Sequence, residues 1–153
     1  MDDPAMQNNW MTTPGPNVSF VSREGDLYAI IIRKEFRREG VNFMTPNAYP
    51  MQVAVSSYEV GSSVKPHFHN NFERSINDTM EVVHIDEGEA TVSFFDDKTQ
   101  ALIGTHTLRS GDTVIFVKGI HGLAFKEKTR LIEVKQGPYM GADIDKTCVD
   151  VKQ

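Results

Sequence analysis

The sequence predicts an all-β domain, and three observations carry that prediction. Short runs rich in Val, Ile, Tyr and Phe recur along most of the chain, separated by Gly, Asp and Asn turn signals. No stretch of useful length repeats its apolar residues with a helical period. At 153 residues the chain has the size of one domain with its own core. Many short strands at this spacing mean a sandwich or a barrel.

The elements follow in order. Residues 1–17 are polar and carry Pro4, Pro14 and Pro16, which predicts a flexible or extended arm. Trp10 and Met11 are its bulky apolar side chains and are candidate anchors. Residues 18–153 are read as the barrel. Strands are expected from Val18 onward, over 27–36, 51–60 and 64–70, then over 79–86 and 90–95. Glu87, Gly88 and Glu89 between the last two predict a tight hairpin. Further strands are expected over 102–108, 113–117, 122–126 and 130–135, with a turn at 96–99. Residues 28–32 are apolar on both faces. An edge strand of a monomer has a wet face, so this run predicts either cover by the arm or a homodimer interface.

Composition narrows the partners. The net charge is −5 and the pI near 5.5. This argues against nucleic acid and anionic membranes, which favour a basic patch. The densest basic cluster, around Arg33, Lys34, Arg37 and Arg38, is interrupted by Glu35. No run approaches the ~18 apolar residues of a membrane span. The start of the chain lacks a basic-then-apolar leader pattern, so a cytoplasmic setting is expected. Cys148 is the only cysteine, which excludes an intramolecular disulfide and fits a reducing compartment. It has no histidine near it in the sequence and reads as inert.

The chemistry concentrates in two segments. His67 and His69 are two apart, so an extended backbone sends both imidazoles to one face. Gly61 precedes them and permits a sharp entry. Glu81 and Gly88 follow on the next expected strand. Gly111, Asp112, Gly119 and His121 form the second segment. Imidazole and carboxylate are the usual ligands of a catalytic divalent metal. His84 is three residues from Glu81, so it is expected on the opposite face. His106, between Thr105 and Thr107, is expected to be exposed.

These residues resemble the two motifs of the cupin superfamily. The first motif is Gly, five residues, His-x-His, a short gap, Glu, six residues, Gly. It is met by Gly61, His67, His69, Glu81 and Gly88. The second is met in part by Gly111, Gly119 and His121. Val117 stands at the motif proline, one residue is missing before His121, and Phe125 stands at the motif asparagine. Eleven residues separate His69 from Glu81, which makes 70–78 an inserted loop. Glu73 lies at the family's usual distance from His69 and competes as the carboxylate ligand. Glu81 is preferred for its retained spacing to Gly88.

The resemblance implies a jelly-roll barrel holding one divalent ion (Fe, Mn, Ni, Co or Zn) on His67, His69, Glu81 and His121. Residues 78–82, 119–122 and 132–139 are also similar to small RmlC-like cupins associated with polysaccharide and nucleotide-sugar biosynthesis. That implies Lewis-acid chemistry on, or binding of, a carbohydrate or nucleotide-linked sugar. Glu73, Arg74, Lys135 and Tyr139 are the candidate substrate-binding residues. Two alternatives are a non-haem iron dioxygenase acting on a small organic acid or thiol, and a non-catalytic metabolite sensor.

Overall fold

A computed structural model describes residues 10–151. Of the described residues 43% are strand and 3% helix, which makes the chain predominantly β, as the sequence predicts. It divides into two compact units, Met1–Thr12 with Arg37–Asp78, and Thr13–Phe36 with Thr79–Gln153.

The second unit holds two antiparallel sheets. The larger has the order β1-β2-β8-β5-β10, from β1 (Val18–Arg23), β2 (Asp26–Ile32), β8 (Thr113–Phe116), β5 (Glu81–Glu87) and β10 (Arg130–Lys135). The smaller has the order β7-β6-β9, from β7 (Leu102–Arg109), β6 (Glu89–Phe95) and β9 (Ile120–Phe125). Both contribute to one core. Tyr28, Ile31, Val83, Ile85 and Val114 come from the larger sheet, and Ala90, Val92, Phe94 and Leu108 from the smaller. In β6 the inward residues alternate with half-buried ones, the pattern of a strand with one buried face. A four-residue helix, α1 (Ala142–Asp145), follows β10.

Two expectations about this unit change. Gly88 does not close a hairpin, because β5 and β6 lie in different sheets. Gly88 instead turns the chain from one sheet to the other at φ 85°, and a Cβ there would stand 2.6 Å from the Lys128 carbonyl oxygen. The doubly apolar run 28–32 is not an edge. It lies in β2, between β1 and β8, and residues 28–32 are all buried by the chain itself. That strand therefore gives no ground for a homodimer.

The first unit pairs β3 (Gly40–Phe43) with β4 (Ala54–Ser57). Buried Asn42 reaches the carbonyls of Arg38, Glu39, Gly40 and Val55 at 3.1–3.3 Å, which satisfies its amide. Of the expected arm, residues 1–9 lie outside the described residues. Trp10 forms a parallel bridge with Phe43, and the Met11 N–H donates to the Phe43 carbonyl at 2.9 Å. The strand expected over 64–70 is absent; residues 64–70 are exposed and irregular.

Two buried acids organise the second unit. Asp112 accepts from the Arg33 guanidinium at 2.8 Å and from the backbone N–H groups of Lys34 (3.0 Å) and Arg109 (2.9 Å). At the other end of β2, the Tyr28 hydroxyl donates to Asp96 at 2.9 Å. Asp96 also caps its turn through the N–H and hydroxyl of Thr99, at 2.7 and 2.8 Å. Those Thr99 bonds, with the Tyr28 hydroxyl, hold its carboxyl well below the usual carboxylate range. Burial, then the Asp96 hydrogen bond, pushes the Tyr28 phenol up to about 12.

Asp112→Ala leaves the Arg33 guanidinium and two N–H groups without their carboxylate. The expected loss is about 3 kcal/mol of unfolding free energy, read by urea titration at neutral pH. Tyr28 carries a second prediction. Its folded pKa lies above the unfolded value, so its neutral form is favoured by folding. Stability is full below pH 10 and falls between pH 10 and 12. Urea midpoints of wild type should drop across that window more steeply than those of Tyr28→Phe.

Candidate functional site

The second unit contains an open pocket of about 690 Å³. Strands of both sheets build it. β5 contributes Glu81 and Val83, β9 contributes His121 and Leu123, and β10 contributes Leu131, Glu133 and Lys135. Along β5 and β10 these are alternate residues, so the strand period alone sends them to one face. His84, of the opposite parity, does not line the pocket and bonds Thr113 Oγ1 at 2.9 Å through Nδ1, as the odd spacing predicts.

His121 is held by its flat face. Phe116 pairs with Glu81 across β8 and β5. Its ring stacks on the imidazole, with centroids 3.9 Å apart and planes at 17°. The imidazole edges are unengaged. Nδ1 is buried without a hydrogen-bond partner. Nε2 stands 3.8 Å from Glu81 Oε2, too far for a hydrogen bond. Two ligand atoms each about 2.1 Å from one ion are about 3 Å apart at a right angle and about 4 Å apart when opposed. The separation of Nε2 and Oε2 falls in that range. The orphaned ring and its spacing to the carboxylate therefore fit two ligands of one divalent cation.

Lys135 points into the same pocket, with 28% of its side chain exposed. Its ammonium is 3.5 Å from Glu133 and 3.8 Å from Asp145, and 5.1 Å from the centre of the Tyr139 ring. Tyr139 itself is mostly exposed. The remaining wall is apolar, made by Val83, Leu123, Leu131 and Phe125 among others. Cys148 also lines this pocket, so the lone thiol stands on the same pocket as His121 although no histidine is near it in the sequence.

His67 and His69 belong to the first unit. Both are exposed, and their rings meet edge to face with centroids 5.2 Å apart. His67 Nδ1 lies 2.9 Å from the Lys65 carbonyl. A carbonyl only accepts, so Nδ1 is the donor and neutral His67 presents the Nε2 lone pair outward. That tautomer suits a histidine that ligates through Nε2. Arg74 stacks its guanidinium 3.4 Å from the Phe72 ring centre, and Glu73 beside it is exposed. The structure thus pairs Glu81 with His121, and His67 with His69, each pair within its own unit. Among the described residues no three His, Cys, Asp or Glu side chains gather closely enough to hold a metal.

Three contributors to the site are not among the sequence candidates. Glu133 was legible, since it is two residues from Lys135 on one strand. Phe116 and the C-terminal residues 146–149 were not, because only tertiary packing places them at His121 and the pocket. His106 is the reverse case. It is partly buried and packs edge-on against Phe94 at 5.9 Å, rather than standing exposed. Comparison with protein-family models, with curated proteins and with solved structures gives no match to the chain.

Burial, and then the nearby Arg33 charge, lower the His106 pKa. Folding therefore favours its neutral form. The stability this contributes is present above pH 6.5 and is lost as pH falls below it, where the unfolded chain takes up the proton first. The difference in thermal midpoint between pH 7.5 and pH 5.5 should be smaller for His106→Gln than for wild type.

Proposed function

We propose that this chain is a divalent-metal-binding domain related to the cupins, with a jelly-roll arrangement of its strands, that acts through the ion on a small organic ligand. The observation that carries this reading is the His121 imidazole, clamped on Phe116 with no hydrogen-bond partner and 3.8 Å from Glu81. Glu81 and His121 are the first two ligands. The motif resemblance implies His67 and His69 as the other two. Bound there, such an ion supplies Lewis-acid polarisation of an oxygen, or activation of water or dioxygen. The residues around it orient the ligand: Lys135 offers a positive charge once a flanking carboxylate withdraws, and the apolar wall packs against its carbon skeleton.

That wall bears on the ligand class. A sugar needs hydrogen-bonding groups on most sides, and Val83, Leu123, Leu131 and Phe125 provide none. It favours the organic-acid alternative over the carbohydrate reading. The sensor reading shares the same ligand and differs only in turnover.

Elemental analysis after loading with cobalt or nickel tests the centre. His121→Ala, His67→Ala and His69→Ala should each lose most of the bound metal, as should Glu81→Gln. Glu73→Gln should retain it. Retention by Glu81→Gln with loss by Glu73→Gln would reverse the carboxylate assignment. Absence of metal from the wild type would sink the reading. Imidazole binds metal only when neutral, so metal content should fall as the solution is made acidic. Oxygen uptake by the iron-loaded protein with small aromatic or aliphatic acids separates oxygenation from Lewis-acid chemistry. Calorimetric titration with sugar phosphates tests the carbohydrate alternative.

A further inference from the structure

The C-terminal segment lines the pocket without being bonded to it. Lys146, Thr147, Cys148, Val149 and Val151 all contribute to the lining. Lys146 closes the end of α1 with a bond from its N–H to the Ala142 carbonyl at 3.2 Å. Beyond it, no hydrogen bond or ion pair holds residues 147–151 among the described residues. A segment with few buried contacts and no backbone bonds opens at low cost.

What secures it is one residue upstream. Asp145, the last residue of α1, reaches back to Lys135 at 3.8 Å and accepts the Met140 N–H at 3.1 Å. Lys135 already faces Glu133, fixed on the same strand, at 3.5 Å. Neither carboxylate is at hydrogen-bond distance from the ammonium, so its donors remain available. Two nearby carboxylates already offset the charge of this ammonium, so it attracts a third only weakly. An anionic group entering the pocket must displace one of them, and Asp145 is the one on a short helix leading to an unbonded segment.

We propose that residues 146–151 form a lid on this pocket, latched by Asp145 on Lys135, and that an anionic ligand group opens the lid by taking the place of Asp145. Lys135 is then the residue that both recognises the anion and reports its arrival. The proposal stands on the pocket of the second unit and does not require the metal.

Cleavage of the bond after Lys146 by a lysine-specific endoproteinase, followed by mass spectrometry in the presence of EDTA, measures lid opening. Cleavage at Lys126 and Lys128, in the β9–β10 connection, is the internal standard. Asp145→Asn and Lys135→Met should each speed cleavage after Lys146 several-fold. The double variant should be no faster than either single one, because both break the same contact. Glu133→Gln should slow cleavage, since it leaves Lys135 to Asp145 alone. Sodium benzoate, against sodium chloride at equal ionic strength, should speed cleavage in wild type and not in Lys135→Met. Equal rates in wild type, Asp145→Asn and Lys135→Met would overturn the latch. Faster cleavage in the variants with no response to benzoate would overturn the anionic trigger.

Discussion

The Asp112 carboxylate fixes the frame in which the pocket is built. It sits in the turn between β7 and β8 and gathers the end of β2 through Arg33 and Lys34. Arg33 in turn donates to the Thr107 carbonyl of β7 at 2.6 Å. One buried acid thus sets where β8 begins, and β8 is the strand between β2 and β5. Its register puts Phe116 opposite Glu81, and the Phe116 ring holds His121 flat. A slip of one residue would send Phe116 to the other face and leave His121 without its support. The position of the candidate ligands therefore depends on a charge at the far end of β8.

The same frame explains which parts of the fold were legible. β10 was readable over its full length, and β7 and β8 to within a residue, because alternating patterns and turn residues bound each of them. The doubly apolar β2 was legible as a strand but not as an interior one, since periodicity cannot tell a subunit interface from the middle of a sheet. Gly88 carried a true turn signal and a false pairing. A glycine at positive φ joins strands within a sheet as readily as between sheets, and only the tertiary contact with Lys128 decides. The run 64–70 has strand-like residues but no partner strand among the described residues, and without ladder bonds the pattern alone does not make a strand.

The site divides along similar lines. Glu81 and Lys135 share a pocket because strand parity places them, and parity is visible in sequence. His121 joins them from the other sheet, which no local pattern foretells; only the motif spacing pointed to it. His67 and His69 were read from a spacing that matters when the backbone is extended and paired, which residues 64–70 are not. His106 was misread because its neighbours Thr105 and Thr107 suggested a wet strand, whereas the Phe94 ring across the ladder covers it.

The charges of the pocket constrain its chemistry further. Glu81 and Glu133 line the pocket and Asp145 approaches Lys135 beside it, three carboxylates against Lys135 and Lys146. An anionic ligand meets an electrostatic deficit there unless a cation or the release of one carboxylate offsets it. A divalent ion between Glu81 and His121 is one way to supply that offset, and withdrawal of Asp145 is another. The two act side by side, since Lys135 of β10 is the cross-strand partner of Glu81 on β5. A ligand with an anionic end and an apolar body could use both while its body lies against Leu123 and Leu131. A polyhydroxylated ligand would gain nothing from that wall and would lose the water it strips from its hydroxyls.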